Sequence, residues 1–391
     1  MLLRNLLIIV ALVFTSLDAA SLFKALPQLK KKVPFTKICN LPTPIVRLTN
    51  LEKAVGAAGL YCKNDALTSD IFGGNKPRKL EFLLGDALAK KSPGVITIGD
   101  AGSNHACATA HHSETLGLTC LCLYVPQQNT EYAQRNLKAT CLTDAGMLMY
   151  PNNAAREAVL ASIRSQYEGP NASKQIPFYV IPSGGSNAIG CLGFVNAAYE
   201  LKEQIDAKVM PTPDIIYVTL GSKGTAAGLL LGLKAVGLKS HVVAVRVTSD
   251  PDNTAFTKLN KLFDETNDLL RSYDPTFPKF TLSSADVTID NDFFFDGYAK
   301  VTPETARAIT ILENTEDIKL DGTYTGKTFA ALLHAIEHDA TIKDKKILFW
   351  DTFFSGEISD EAANLNYTKL NKEFQAYFDG TLPLQPDDCG Y

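Results

Sequence analysis

Short apolar runs in this sequence alternate with stretches of helical periodicity. Residues 94–99, 119–125, 178–182, 214–220, 241–247 and 346–350 read as buried strands. Between them lie segments such as Leu80, Leu83, Leu84, Ala87 and Leu88, spaced to line one face of a helix. Strand and helix in alternation predict an α/β protein with mostly parallel sheets, because parallel neighbours need a crossover, usually a helix. A single core stops growing near ~250–300 residues, so a chain of 391 residues has room for two domains. A Pro- and polar-rich stretch at 169–177 suits a crossing between them, and the tail after Gly380 lacks periodicity.

The first residues follow a different pattern. Arg4 precedes an apolar run from Leu6 to Phe14, followed by the small residues Ala19, Ala20 and Ser21. This is the layout of a secretory signal peptide over residues 1–20, shorter than the ~20 apolar residues of a spanning helix. The expectation is therefore an exported protein, periplasmic or secreted, with no membrane attachment after cleavage; an uncleaved anchor is the alternative. The formal net charge of −4 offers no global attraction to nucleic acid. The eight cysteines show no C-x-x-C pair and no zinc spacing, and read mainly as isolated core thiols, with room for one or two disulfides. No metal site is expected. Asn171-Ala172-Ser173 and Asn366-Tyr367-Thr368 are glycosylation acceptors in a eukaryotic secretory route.

Three segments carry chemistry. In Gly73-Gly74-Asn75-Lys76-Pro77-Arg78-Lys79-Leu80-Glu81, two glycines permit a turn and Pro77 suits a first helical position. That places Lys76 at a loop-to-helix junction, where burial and nearby cations depress an amine pKa and favour imine formation. On this argument alone Lys63, Lys79 and Lys90 compete with it, and a solvated lysine is the plain alternative. In Gly99-Asp100-Ala101-Gly102-Ser103-Asn104-His105, either Ser103 or Asn104 could simply cap a helix. Gly221-Ser222-Lys223-Gly224-Thr225 follows a strand and opens an apolar helix, so its backbone N–H groups can converge on an anion. A tight turn is the alternative there.

Gly-Gly-Asn-Lys-x-Arg-Lys-Leu-Glu resembles the cofactor-lysine signature of the D-cysteine desulfhydrase and aminocyclopropane-carboxylate deaminase family. The resemblance runs in order from about Leu41-Pro42-Thr43-Pro44 to Thr352. It implies the fold type II arrangement of pyridoxal-phosphate enzymes: two domains, each an open twisted, mostly parallel sheet flanked by helices. The larger would comprise 21–77 and 176–391, the smaller 78–175. Lys76 would carry pyridoxal 5'-phosphate as a Schiff base. Ser222, Lys223, Gly224 and Thr225 would hold its phosphate, the Lys223 side chain possessing the freedom to point to solvent. Asn104 would contact the ring hydroxyl, and Thr352 would face the ring nitrogen. Ser103, Asn104 and His105 would lie near substrate, as would Ser186 and Asn187 in Pro182-Ser183-Gly184-Gly185-Ser186-Asn187. Tyr298 and Tyr324 would be substrate-side tyrosines, Tyr324 a candidate acid or base. The resemblance also implies a homodimer or larger assembly.

Some positions depart from the family pattern. A glutamine before Ser-Asn is Gly102 here, and an arginine three residues after the Asn is Cys107. The family's His-Thr-Gly-Gly reads Asp351-Thr352-Phe353-Phe354, which predicts a bulkier and more acidic wall. The Gly-Gly-Ser-Asn loop and Thr325 follow the desulfhydrase pattern; deaminases carry Cys-Ser-Glu and an acidic residue at these places. The leading expectation is a lyase that converts D-cysteine to pyruvate, sulfide and ammonia by α,β-elimination. Ring opening of aminocyclopropane carboxylate is the second, and a cofactor- or amino-acid-binding protein without catalysis is the third.

Overall fold

The computed structural model describes residues 20–167, 177–250, 254–295, 297–356 and 358–383. Residues 1–19 of the proposed leader, the crossing at 169–177 up to residue 176, Asn171 and Cys389 thus lie outside the described residues. Ten strands form two sheets: β1 Ile45–Arg47, β2 Leu60–Asn64, β3 Gly94–Asp100, β4 Thr119–Val125, β5 Gly146–Met149, β6 Tyr179–Ile181, β7 Ile215–Leu220, β8 His241–Arg246, β9 Val287–Asp290 and β10 Ile347–Asp351. The larger sheet runs β1-β2-β10-β7-β8-β9, parallel except for the β1–β2 pair. The smaller runs β5-β4-β3-β6 and is parallel throughout. β6 follows residue 176, so the smaller sheet extends past the boundary read from sequence.

Helices fill the connections: α1 Ser21–Ala25, α2 Thr49–Val55, α3 Lys76–Ala89, α4 Asn104–Thr115, α5 Glu131–Cys141, α6 Asn153–Ser165, α7 Ala188–Asp206, α8 Gly224–Ala235, α9 Ala255–Tyr273, α10 Pro303–Glu316 and α11 Thr325–His338. No described helix is long and apolar enough to cross a membrane. Central strands such as β10 (Ile-Leu-Phe-Trp-Asp) are buried at every position, as expected where helices cover both faces of a parallel sheet.

α3 decides the position of the site. It is buried from Pro77 to Ala87, so it is covered on every side instead of along one stripe. Phe82 packs into the core of the larger sheet, while Leu80, Leu83, Leu84 and Ala87 pack into that of the smaller. α7 comes so close to it that a Cβ on Gly193 would lie 2.2 Å from the Arg78 carbonyl oxygen.

A buried ionic network fixes the start of α3. Arg78 donates to Asp65 at 2.7 and 2.9 Å and to Glu200 at 2.9 and 3.0 Å. Lys63 reaches Glu200 at 2.5 Å, and the Trp350 indole donates to Asp65 at 2.8 Å. Two cations against two carboxylates leave no uncompensated charge, the condition for burying ions at tolerable cost. The seven described cysteines are free thiols, none paired with another; Cys120 and Cys122 approach only to 3.8 Å between sulfurs.

Candidate active site

A cleft of about 840 Å³ opens at the C-terminal ends of the parallel strands, where open α/β sheets bind their ligands. Lys76, Asn104, Ser186, Ser222, Lys223, Thr225, Tyr298, Tyr324 and Thr352 all line it. Nine positions far apart in sequence are therefore brought together.

Geometry separates the competing lysines. Lys63 is locked in the buried network, and Lys90 pairs with Asp86 at 2.7 Å with its own side chain largely exposed. Lys79 donates to the Gly184 carbonyl at 3.0 Å and to Ser186 Oγ at 3.2 Å. Lys76 alone of the four makes no hydrogen bond or ion pair with a described residue. Loss of water, reinforced by the Lys79 charge and opposed by Asp321, brings its pKa down to about 7. A substantial share of its amine is thus neutral and nucleophilic near neutral pH.

The anion cradle is built as its sequence suggests, with one change. Lys223, at the N-cap of α8, has φ +68°, and the first-turn N–H groups of α8 have no partner within the helix. A Cβ on Gly184 (φ +63°) would lie 2.1 Å from Ser222 Oγ, so only glycine lets the 183–185 turn approach this loop. Ser186 Oγ and Ser222 Oγ meet at 2.7 Å, continuing the chain from the Lys79 ammonium. The Lys223 side chain, by contrast, is buried and not solvated: it binds Asp250 and lies 3.3 Å from Thr248 Oγ1. Its backbone belongs to the cradle, while its ammonium is committed elsewhere. The nearby cation with its charge turned toward the loop is Lys79, whose pKa burial lowers to about 8.

Tyr298 and Tyr324 meet hydroxyl to hydroxyl, with rings 5.9 Å apart and nearly perpendicular. Burial is the main reason that both phenols are pushed above the usual tyrosine range, so both keep their protons at neutral pH. Asp321, beside Tyr324, accepts from the backbone N–H groups of Thr323, Tyr324 and Thr325 and from Thr325 Oγ1. Thr325 is buried and does not line the cleft; its hydroxyl donates to this carboxylate and accepts from the Asp321 N–H at 3.0 Å.

Four expected residues do not line the cleft. Ser103 Oγ caps α4 by accepting from the Ala106 N–H at 3.2 Å, and Asn187 caps α7 by accepting from the Gly190 N–H at 2.8 Å. Gly224 supplies backbone at the start of α8, where an added Cβ would lie 2.5 Å from Ser186 Oγ. His105 is buried beside the Gly185 turn with neither ring nitrogen hydrogen-bonded. Burial first, then Lys76 and Lys79, hold its pKa well below the usual range and keep it neutral.

The 351–354 wall is bulkier, as expected, because Phe353 and Phe354 line the cleft. It is not more acidic. Asp351 is buried behind it and does not line the cleft; it accepts from the Phe353 N–H at 3.0 Å, and loss of water is the chief reason that its pKa is raised well above the usual carboxylate range. Two side chains from elsewhere occupy the surroundings of the other departures. Gln127 Oε1 accepts from the Gly102 N–H at 2.9 Å, in space that a side chain at 102 would need. Arg135, close enough to Cys107 to influence its thiol, donates to the carbonyls of Phe354 and Gly356. Asn75, Asp100 and Asp321 also line the cleft and were not singled out from sequence; all three stand inside or beside the segments that were.

An unpaired lysine facing a backbone anion cradle with an internal ammonium suits an aldehyde that carries a phosphate. The chain belongs to the family of pyridoxal-phosphate dependent enzymes, whose pattern residues 38–352 match. It is similar to the D-cysteine desulfhydrase of Klebsiella pneumoniae, with 31% identity over 327 residues covering 82% of this chain and 94% of the relative. A putative 1-aminocyclopropane-1-carboxylate deaminase of Pyrococcus horikoshii is 33% identical over 311 residues, covering 77% and 86%. Among solved structures, an ACC deaminase homologue superposes with a TM-score of 0.71 at 30% identity, covering 90% of this chain and 100% of that one. The fold is accordingly the type II arrangement of pyridoxal-phosphate enzymes, and the cofactor is pyridoxal phosphate.

Proposed function

We propose that this enzyme eliminates the β-substituent of a small amino acid, with D-cysteine as substrate and pyruvate, sulfide and ammonia as products. The observation that carries the reading is the state of Lys76, unpaired, facing the cleft and with a pKa near 7. When bound, pyridoxal phosphate supplies an electron sink for the carbanion at the substrate α-carbon. Lys76 would hold it, with Ser222, Thr225, the Lys223 and Gly224 backbone and the Lys79 ammonium around the phosphate, and Asn104 and Thr352 beside the ring. Thr352 offers the ring nitrogen a hydroxyl and no charge, which does not favour protonating it.

The Lys76 amine, when free, would be placed to accept the α-proton. The Tyr298–Tyr324 pair retains its protons and can donate one to the departing sulfur, with Tyr324 nearer the fixed Asp321 turn. Phe353 and Phe354 help keep water from the reacting carbon. The Gly184-Gly185-Ser186-Asn187 loop and Thr325 favour D-cysteine over aminocyclopropane carboxylate. The test is an ammonia and keto-acid assay over D- and L-cysteine, D-serine, 3-chloro-D-alanine and aminocyclopropane carboxylate. Pyruvate with sulfide from D-cysteine is the expected result; 2-oxobutyrate from the cyclopropane would replace this reading with the deaminase. Binding without ammonia from any substrate would favour a non-catalytic binding protein.

The Arg4–Ser21 pattern supports export with cleavage near Ala20, and N-terminal sequencing of the mature protein would check it. A homodimer is the assembly we propose, testable by light scattering in solution.

A further inference from the structure

Asp100 ends β3 and lines the cleft together with Lys76, Tyr298 and Tyr324. Apart from Lys76, the other charged groups lining the cleft are already matched. Asp250 pairs with Lys223 and Lys258, and Glu265 lies 3.8 Å from Lys261. Asp321 is saturated by its own turn. The Asp100 carboxylate has no hydrogen bond or ion pair with any described residue. Arg156 attracts it from α6 without bonding to it: its Nη1 and Nη2 groups donate to the Gly99 carbonyl at 3.2 Å and to Asn153 Oδ1 at 2.8 Å, and its buried Nε has no hydrogen-bond partner among the described residues. Both cleft tyrosines feel the Asp100 charge, and all three groups line the same cleft.

A half-buried carboxylate without a partner favours a cation that enters its site, and disfavours an anion there. The substrate α-amine is engaged at the Lys76 side of the cleft, so the cation must come from the side chain. From this we infer that Asp100 is a specificity residue that receives a side-chain ammonium, and that the cleft accepts 2,3-diamino acids as well as D-cysteine. The inference rests on the reading of the cleft as a lyase site.

With 2,3-diaminopropionate the chemistry balances without a further reactant. The Cα–H bond breaks and its proton passes to Lys76. The Cβ–N bond of the ammonium breaks, and its electron pair leaves with nitrogen as ammonia. The aminoacrylate that remains takes up water to give pyruvate and a second ammonia. Asp100 keeps the leaving nitrogen protonated until the bond breaks, and no acid is needed.

The test uses the holoenzyme and two ligands that lack a β-leaving group, D-2,4-diaminobutyrate and D-2-aminobutyrate, which differ by one ammonium. Calorimetric titration should show the diamino acid binding about tenfold or more tighter, the scale of one favourable partly desolvated charge contact. Asp100→Asn should cancel that difference, its folding verified by the visible absorbance of bound cofactor. Equal affinities in the wild type, or a preference that survives Asp100→Asn, would overturn the inference. Pyruvate and two ammonia from 2,3-diaminopropionate complete the expected result. Turnover of D-cysteine with no diamino preference removes this inference and leaves the lyase reading standing. A diamino preference lost in Asp100→Asn, with no keto acid from any amino acid, keeps Asp100 as the ammonium-binding residue but overturns the lyase reading and, with it, turnover of 2,3-diaminopropionate.

Discussion

The side-chain amide of Asn75 donates to Thr225 Oγ1 at 2.9 Å, tying the residue before Lys76, the proposed cofactor lysine, to the loop proposed to hold the phosphate. Its backbone N–H also donates to the Thr352 carbonyl at 3.1 Å. One buried residue therefore sets the spacing between the groups proposed to receive the two ends of the cofactor. Asn75→Ala should raise the pyridoxal phosphate concentration needed for half-saturation about tenfold, since a lost buried hydrogen bond costs ~1–3 kcal/mol. Equilibrium titration of apoenzyme by absorbance measures it.

Lys76→Ala should abolish the visible absorbance of bound cofactor and all turnover. Survival of that band would point to Lys79. In the wild-type apoenzyme, the rate of cofactor capture should rise with pH up to about 7 and then flatten, because the neutral amine is the reactive form. Stopped-flow absorbance across that range gives the profile.

Lys79→Met should weaken the hold on the phosphate more than on the aldehyde. The expected pattern is a drop of about tenfold or more in affinity for pyridoxal phosphate, the scale of a charge-assisted hydrogen bond. Affinity for pyridoxal, which lacks the phosphate, should change far less. Parallel losses for both aldehydes would place Lys79 outside the cradle.

Arg78→Met leaves Asp65 and Glu200 facing only Lys63 in the interior. Removing one partner of such a cluster costs about 3–5 kcal/mol, which urea denaturation would show. Acid should expose the same network. Although burial alone would raise it, Arg78 and Lys63 bring the Glu200 pKa down to about 2. Its folded value lies below its unfolded value, so its contribution is complete above the ordinary carboxylate range and is lost as pH falls toward 2. In Arg78→Met that loss should begin at higher pH.

Tyr324→Phe removes one hydroxyl of the tyrosine pair and should reduce kcat for D-cysteine by about 10²-fold, the lower end for a proton donor. A substrate whose leaving group needs no proton, such as 3-chloro-D-alanine, should lose much less. Equal losses on both would make the hydroxyl a positioning group.

Much of this was legible in sequence because cofactor chemistry is written in short contiguous segments. The loop around Lys76, the start of α8 and the Ser103-Asn104-His105 run each announce the start of a helix. The missed strands have physical reasons. β2 carries Lys63 and Asn64, and Lys63 looks polar until its partner, Glu200, arrives from 137 residues away. β1 and β9 are short edge strands with exposed or half-exposed positions, so neither shows an apolar run. Ser103 and Asn187 show the converse failure: a hydroxyl or amide at a helix start serves its own helix first, as local capping predicts. Asp100 was passed over because nothing in its own segment says that a strand end will meet two tyrosines some 200 residues later in the chain.

The way α3 is shared has a consequence for how the molecule comes apart. A helix that is common property of two cores cannot be released by one and kept by the other. Heating should give a single calorimetric transition and no stage in which one lobe survives alone. A destabilising change in the smaller sheet, far from the cofactor, should therefore cost the enzyme its grip on Lys76 at the same temperature at which it costs the fold.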